Sequence, residues 1–185
     1  MQSSHSNTCA VELFSDEECD RIVALGQLAP AVSSVPAGAG RIRRLTQRLC
    51  KVRQLPENDQ TRWIYDRLRD RAMELNDKVW KFELDSVETL QFVSYGFLNH
   101  FARHMDSGVP ALSRRKLTVS VQLSRSSDYG GGKLYIWSRN KDRTAPRTRG
   151  AAMFFPSHLW HRANPILWGT RLALVGWLKG KHALR

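Results

Sequence analysis

Residues 90–106 read LQFVSYGFLNHFARHMD, and they mark the point at which the chain changes from helical patterns to strand patterns. From Val87 onward the hydrophobic pattern has a period of two, which is typical of β-strands with one buried face. Turn residues separate the segments that show this pattern. The predicted strands are residues 90–98, 117–124, 133–137, 151–155 and 171–178.

The residues before this stretch predict two helices. Ser15 and Glu18 form a capping box, so we expect a helix that runs from there to about Leu25, with Gly26 as a stop just past its end. A second helix is predicted over residues 60–78, where apolar residues recur every three or four positions. The residues expected to face the core are Cys19, Ile22 and Val23 in the first helix and Ile64, Leu68, Ala72 and Leu75 in the second.

Two segments have the composition of loops. Residues 29–40 are rich in Pro, Gly and Ser, which predicts a loop or an irregular edge strand. Residues 138–149 are rich in basic side chains, and we expect them to form a mobile surface loop.

Helices followed by a run of strands predict a mainly β, α+β chain with N-terminal helices packed on a sandwich or barrel. A length of 185 residues suits one domain, residues 1–185. Within it we expect a helical region at about 13–80 and a β core at about 87–180.

Composition excludes several classes of protein. Hydrophobic residues make up 42% of the chain and charged residues 25%, as in an ordinary globular domain, so a disordered or collagen-like chain is excluded. The net charge of +12 attracts anions in general. The basic residues are dispersed over several segments, however, so no dedicated nucleic-acid arm is predicted.

The three cysteines are odd in number and form no CxxC motif, which argues against a disulfide framework and against a cysteine-based zinc site. No stretch approaches 18 apolar residues, so no membrane helix is predicted. The start of the chain lacks a basic segment followed by an apolar one, so we do not expect a secretory signal. Together these features favour the cytoplasm.

The triplet His104-Met-Asp106 is the most informative local motif. Residues two apart on a strand share a face, so the imidazole and the carboxylate can meet one ion from the same side. A further histidine, His158 or His161, would complete two imidazoles and one carboxylate, the ligand set of non-haem Fe(II) oxygenases. Zinc hydrolysis is the competing use, but zinc sites usually keep only one open position. The two histidines have opposite parity on a strand, so only one can face the ion.

A cation at Arg171 would suit a dicarboxylate co-substrate, because the planar guanidinium pairs with a carboxylate through two hydrogen bonds.

Four segments together form a more specific pattern. The first is LQFVSYG (90–96) with HMD (104–106), and the second is RKLTVSVQLS (115–124) with DYGG (128–131). The third is RGAAMFFPS (149–157), and the fourth is HRANPI (161–166) with GTR (169–171) and Trp177. In this order and at this spacing, the sequence resembles the Fe(II)/2-oxoglutarate-dependent oxygenases of the prolyl 4-hydroxylase type, particularly their small bacterial and phage members. The resemblance covers roughly residues 13–180.

The resemblance implies a role for each matching residue. His104, Asp106 and His161 are the implied iron ligands, and the family spacing to Arg171 favours His161 over His158. Arg171 is the implied anchor for the distal carboxylate of 2-oxoglutarate. Other residues correspond to further positions of the family's site. They are Tyr95 and Trp177 in the co-substrate pocket, Gln122, Thr118 or Ser120 where relatives have a tyrosine, Phe101 where a different aromatic is common, and Arg43, Arg44 and Trp137 as substrate contacts.

The family also implies a fold and a reaction. We expect a double-stranded β-helix, or jelly roll, with helices packed on one sheet. The expected cofactors are Fe(II), 2-oxoglutarate and dioxygen, with ascorbate as a candidate reductant. The expected reaction hydroxylates an unactivated C–H bond of a prolyl or other amino-acid residue, free or in a peptide or protein, and forms succinate and carbon dioxide. A nucleic-acid demethylase of the same superfamily is the alternative, and a jelly-roll binding module without activity is less favoured because the metal motif is intact.

Overall fold

A computed structural model describes residues 7–32, 48–107, 109–138 and 142–182. This part of the chain is mostly β and contains two α-helices, α1 (Asp16–Leu28) and α2 (Arg62–Lys78), and a short 3-10 helix at Pro110–Leu112. The strands are β1 (Cys9–Glu12), β2 (Ala31–Val32), β3 (Arg48–Leu49), β4 (Lys51–Leu55), β5 (Ser86–Val87), β6 (Leu90–Tyr95), β7 (His100–His104), β8 (Arg115–Gln122), β9 (Tyr129–Gly131), β10 (Leu134–Ile136), β11 (Arg143–Thr144), β12 (Ala151–Pro156), β13 (His161–Ala163), β14 (Ile166–Gly169) and β15 (Arg171–Lys179). Neither helix is both long and apolar enough to cross a bilayer.

The strands form two main sheets and a small ribbon. The large sheet has the order β1-β12-β8-β15-β6-β4-β2, with β5 paired to β15, and the small sheet has the order β11-β10-β13-β7-β3. Strands β9 and β14 form the separate ribbon. From β6 onward the chain passes repeatedly between the two main sheets: β6, β8, β12 and β15 lie in the large sheet, and β7, β10 and β13 lie in the small one.

The large sheet has an apolar face that packs on the helices. The period-two pattern puts Phe92, Leu117, Val119 and Leu174 in one buried cluster together with helix residues. The helix residues in that cluster are Cys19, Ile22, Ile64, Tyr65, Leu68 and Ala72. The residues between them on the strands, such as Thr118, Ala173 and Trp177, line a pocket on the opposite face.

A buried tyrosine links α2 to this sheet. The Tyr65 hydroxyl donates to the carbonyl of Leu55 at 2.6 Å and accepts from the backbone N–H of Leu90 at 2.9 Å. It thereby joins the end of β4 to the start of β6, the strand that carries Tyr95 to the pocket.

The first helix does not stop at Gly26 as the sequence predicted. It continues to Leu28 and ends at Ala29, just before Pro30. The capping box at its start is present as predicted. Gly26 is buried in the helix where it crosses the sheet, and a methyl group there would lie 2.3 Å from Cδ2 of Phe92. This glycine therefore permits close packing rather than helix termination.

The basic segment 138–149 is only partly the mobile loop that we expected. Its residues Arg143–Thr144 form β11 and pair with β10. Arg147 donates to the carbonyl of Tyr129 at 2.7 Å, and Arg149 donates to the carbonyl of Leu123 at 2.8 Å. Its C-terminal half is therefore held to the body of the protein, because two arginines satisfy backbone carbonyls.

Residues 29–40 contain the edge strand that was one of the two expected outcomes. Ala31–Val32 forms β2, which pairs with β4 at the end of the large sheet. Residues 33–40 lie outside the described part of the chain.

The packing at Gly26 gives a stability prediction. Gly26→Ala should gain about 1 kcal/mol of helix propensity, but it should lose about 1–3 kcal/mol through overpacking against the buried Phe92 ring. We expect a net decrease in the free energy of unfolding, measured by urea denaturation. In a Phe92→Leu background the overlap is reduced, so the same substitution should cost less or become stabilising. An increase in stability on Gly26→Ala alone would show that Gly26 is not a packing residue.

Candidate metal centre

Two histidines and an aspartate meet between the two sheets. His104 ends β7 and lies directly opposite His161, which begins β13. Asp106 follows two residues after His104, and its Oδ1 is 3.4 Å from Nε2 of His104 while its Oδ2 is 3.4 Å from Nε2 of His161. The candidate ligand atoms of the three residues all lie within 4.8 Å of one another. His158 is not part of this group, so the structure brings together the three residues that the sequence favoured.

The backbone orients both imidazole rings. Nδ1 of His104 lies 2.8 Å from the carbonyl oxygen of Ala102, and Nδ1 of His161 lies 3.0 Å from that of Leu159. A carbonyl can only accept, so each Nδ1 carries a proton, and Nε2 is the nitrogen that remains to bind a metal. This pattern is typical of histidines that bind a metal, because the second nitrogen fixes the tautomer and the ring orientation.

A hydroxyl pair holds the carboxylate in place. Thr118 Oγ1 donates to Asp106 Oδ2 at 2.7 Å, and the Ser157 hydroxyl lies 3.0 Å from Thr118 Oγ1. The backbone N–H of Asp106 donates to the Ser157 carbonyl at 2.9 Å. These bonds aim the carboxylate at both histidines.

The protonation states of the group suit metal binding. Burial raises the pKa of Asp106, but the neighbouring imidazoles of His161 and His104 outweigh that effect and hold the pKa well below its usual range. Burial lowers the pKa of His161. An ionised carboxylate and a neutral imidazole are the forms that coordinate metals.

Aromatic rings pack on the outer sides of the two histidines. The Phe101 ring stacks on His104 with centroids 3.5 Å apart and an interplanar angle of 15°. The Phe155 ring meets His161 edge-on at 4.9 Å. The aromatic residue that precedes the motif, Phe101, therefore packs against His104.

A buried arginine lies in the same pocket. Arg171 begins β15 directly opposite Tyr95, and it is 5% exposed. Every Asp and Glu of the chain falls within the described residues, and none forms an ion pair with Arg171. A buried cation without a counter-ion is costly, so the pocket is suited to an anion. Burial raises the pKa of Tyr95 to about 12, so its hydroxyl stays protonated and can donate to that anion.

Gln122 and Thr118, two of the expected co-substrate contacts, make hydrogen bonds within the protein. Arg171 Nε donates to Gln122 Oε1 at 3.1 Å, and Gln122 Nε2 donates to the carbonyl of Ser124. Gln122 is not among the residues that line the pocket, so it supports Arg171 from behind. Thr118 does line the pocket, but its hydroxyl is engaged with Asp106.

Trp177 and Ser120 line the pocket as the sequence suggested. The Trp177 indole N–H is buried and makes no hydrogen bond of standard geometry in the described part of the protein, but it is close enough to Asp106 to help lower the pKa of that carboxyl group. The Arg115 guanidinium carbon lies 3.8 Å from the centre of the Trp177 ring, on which it packs.

Of the three expected substrate contacts, the structure describes Trp137. Trp137 follows β10 and does not line the pocket; instead, the guanidinium carbons of Arg103 and Arg162 lie 4.9 and 5.5 Å from its ring. Arg43 and Arg44 lie outside the described residues.

Sequence reasoning missed Arg48, which lines the pocket. It belongs to the two-residue strand β3, paired with β7 at the edge of the small sheet. Two residues are too few to show a strand period, and only the pairing with β7 places this side chain near the histidines.

The donor set fits the metal that the sequence implied. Two neutral imidazoles and one carboxylate form the 2-His-1-carboxylate set that non-haem Fe(II) sites use, and no cysteine takes part. The neighbouring arginine and tyrosine provide the means to hold an anionic co-substrate beside that metal.

Comparison with known proteins agrees with this chemistry. Residues 90–179 match the sequence model of the 2OG-Fe(II) oxygenase superfamily. A PKHD-type hydroxylase of Idiomarina loihiensis is 34% identical over 80 residues, which is 43% of this chain and 37% of that protein. A PKHD-type hydroxylase of a Picosynechococcus species is 34% identical over 94 residues, which is 51% of this chain and 43% of that protein. The chain thus spans about two fifths of the length of these curated relatives.

Solved structures share the fold over nearly the whole chain. A Pseudomonas putida prolyl-4-hydroxylase superposes with a TM-score of 0.74 at 16% identity, covering 96% of this chain and 94% of that one. A Trichoplax adhaerens prolyl hydroxylase, bound to a peptide of the hypoxia inducible factor oxygen degradation domain, superposes with a TM-score of 0.78 at 16% identity, covering 97% and 86%. The matched residues 90–179 contain His104, Asp106, His161 and Arg171, so this half of the chain is similar to the 2OG-Fe(II) oxygenase superfamily, in agreement with the resemblance found from the sequence.

Proposed function

We propose that this protein is an Fe(II)- and 2-oxoglutarate-dependent dioxygenase that hydroxylates an unactivated C–H bond. The observation that carries the proposal is the meeting of His104, Asp106 and His161 in a pocket that also contains Arg171. The passage of successive strands between two sheets supports a double-stranded β-helix with both helices on the large sheet. We propose residues 1–185 as one oxygenase domain.

In this function each residue of the site has a defined task. His104 and His161 hold Fe(II) through Nε2, and Asp106 holds it through a carboxylate oxygen. Bound Fe(II) would supply the dioxygen-dependent oxidation that side chains alone cannot perform. Arg171 binds the distal carboxylate of 2-oxoglutarate, with Tyr95 as a second donor, and Gln122 keeps the guanidinium in position.

The remaining wall of the pocket limits the access of water. Its apolar members come from both sheets: Phe101, Leu134, Phe155, Ala163, Ala173 and Val175. Trp177 lies on the same wall, with its indole N–H near the Asp106 carboxylate. A dry and ordered surrounding strengthens the charge-assisted bond that Arg171 makes and keeps reactive species from solvent.

The proposed substrate is a prolyl or other amino-acid residue, free or in a peptide or protein. Among the structural relatives, the Trichoplax prolyl hydroxylase holds a peptide, which supports a substrate of this kind.

Cys9, Cys19 and Cys50 are free, which supports the reducing cytoplasm as the location.

The function is tested by turnover. The purified protein with Fe(II) and dioxygen should convert 2-oxoglutarate to succinate and carbon dioxide, and proline-containing peptides or amino acids should accelerate this conversion and gain the mass of one oxygen atom. Mass spectrometry of both products is the measurement. The proposal fails if no succinate forms in an Fe(II)-dependent way, or if a nucleic acid with an alkylated base is demethylated instead.

Metal binding gives a sharper prediction with a matched control. His161→Ala, His104→Ala and Asp106→Ala should each lower Mn(II) affinity at least tenfold, because each removes one ligand. His158→Ala, three residues from His161, should bind Mn(II) like the wild type, since it lies outside the group. Calorimetric titration measures the affinities, and circular dichroism checks the fold. Loss of binding in His158→Ala with retention in His161→Ala would reverse the assignment.

A further prediction separates the anchor from its support. Arg171→Gln should weaken 2-oxoglutarate binding by roughly tenfold to a hundredfold, because a hydrogen-bonded charge pair contributes about 1.5–3 kcal/mol. Arg171→Lys should be milder, since lysine keeps the charge but cannot form two parallel bonds. Gln122→Leu should raise the Michaelis constant for 2-oxoglutarate less than Arg171→Gln and leave Mn(II) affinity unchanged. Unaltered 2-oxoglutarate binding in Arg171→Gln would mean that another group holds the carboxylate.

A further inference from the structure

We propose that Arg48 forms a second anion subsite in the pocket and binds a carboxylate of the substrate. The proposal rests on the proposed function, because it takes the metal and 2-oxoglutarate to be held by the residues named above. It narrows the substrate class to a free amino acid, or a peptide with a carboxylate close to the carbon that is hydroxylated.

The position of Arg48 places its charge beside the reacting centre. Arg48 lies opposite Phe101 in the β3–β7 pair, and its guanidinium carbon is 4.7 Å from the centre of the Phe101 ring. That ring in turn stacks on His104 at 3.5 Å. Two stacked contacts therefore connect Arg48 to a metal ligand, and both side chains line the same pocket.

Arg48 is held in place by neutral groups. Its Nε donates to Cys50 Sγ at 3.2 Å, and its Nη2 donates to Gln91 Oε1 at 3.3 Å. No Asp or Glu side chain forms an ion pair with it, although all of them lie within the described ranges. Its orientation is therefore fixed without its charge being neutralised.

A nearby arginine shows the contrasting arrangement. Arg115, which packs on Trp177, donates to both carboxylate oxygens of Glu88, at 3.1 Å to each from Nε and at 2.7 Å from Nη2. Such a pair is complete within the protein and offers nothing to a ligand. Arg48 and Arg171 share the opposite property: both reach the pocket, and neither has a carboxylate partner.

With Fe(II) and 2-oxoglutarate bound, the sum of charges in the pocket would favour one more negative group. Among its lining residues, Arg48 and Arg171 are cationic and Asp106 is anionic. Fe(II) would add two positive charges and 2-oxoglutarate two negative charges, so one positive charge would remain. Arg171 is already assigned to 2-oxoglutarate, and the uncompensated charge is that of Arg48.

A carboxylate compensates the remaining positive charge of Arg48 better than a phosphate does. A carboxylate carries one negative charge and matches the guanidinium fork through two hydrogen bonds. A phosphate monoester carries about −1.5 to −2 at neutral pH, which would over-compensate. A neutral amide would leave the half-buried cation of Arg48 without an anionic partner.

The experiment measures anion binding directly, without turnover. Protein loaded with Mn(II) and saturating 2-oxoglutarate, without dioxygen, is titrated with matched acid and amide probes, and binding is followed by water-proton relaxation at Mn(II). The probes are N-acetyl-L-proline against N-acetyl-L-prolinamide, and acetate against acetamide. The variants are Arg48→Gln, which removes the charge, and Arg48→Lys, which keeps it. The control is Arg103→Gln, which loses the same charge on β7 but lies outside the pocket.

We expect the wild type and Arg103→Gln to bind the acids at least tenfold more tightly than the amides. Arg48→Gln should lose this preference while it binds Mn(II) and 2-oxoglutarate normally, and Arg48→Lys should retain part of it. Equal binding of acids and amides, no saturable binding of either acid, or an unchanged preference in Arg48→Gln overturns the proposal.

Two other outcomes are distinguishable from these. If Arg48→Gln weakens the binding of 2-oxoglutarate as much as Arg171→Gln does, Arg48 binds the co-substrate, and the proposal is wrong. If the folded wild type binds neither Mn(II) nor 2-oxoglutarate, the proposed function itself fails, and the substrate subsite falls with it.

Discussion

The pairing of β7 with β13 is the constraint on which the site depends. It sets His161 opposite His104, and the irregular register immediately after His161 lets the two strands meet again at Ala163 and Phe101. Successive side chains on a strand point to opposite faces, so a shift of one residue would turn His161 out of the pocket. The backbone ladder, rather than any contact between the histidines, therefore determines whether two Nε2 atoms can reach one ion. The carbonyls of Ala102 and Leu159, which fix the tautomers, come from the same two chain segments.

The large sheet stabilises this placement of the two histidines, because one of its faces builds the core and the other builds the site. One face is apolar and packs on both helices, where Leu117, Val119 and Leu174 are almost completely buried. The other face carries polar groups that would be costly to bury alone, among them Thr118, Gln122 and Arg171. Each of these three makes at least one hydrogen bond within the site. The apolar face thus stabilises a fold whose inner face is reserved for binding.

Local patterns predicted what depends on neighbours along the chain. The period of two located β6, β8, β10, β12 and β15 but not β7 or β13. The capping box located the start of α1, and the spacing of Ile64, Leu68 and Ala72 located α2. Spacing and resemblance also selected the three residues of the metal group. What escaped the sequence depends on long-range packing. A glycine at position 26 is typical of a helix end, yet its role is set by the ring of Phe92, more than sixty residues away in sequence. Gln122 and Arg48 took their places from cross-strand partners that no local period reveals.

Long-range packing also explains why the net charge of +12 is a poor guide to binding partners. Much of the excess arginine is structural: Arg147 and Arg149 satisfy carbonyls, Arg115 pairs with Glu88, and Arg103 packs on tryptophans. Counting these charges predicts a general attraction for anions, but their hydrogen bonds and ring contacts are already made inside the fold. A cation becomes specific when it is oriented, lies in a pocket and has no acidic neighbour. In the described part of the chain Arg48 and Arg171 meet all three conditions, and both do so within reach of the group that can hold a metal.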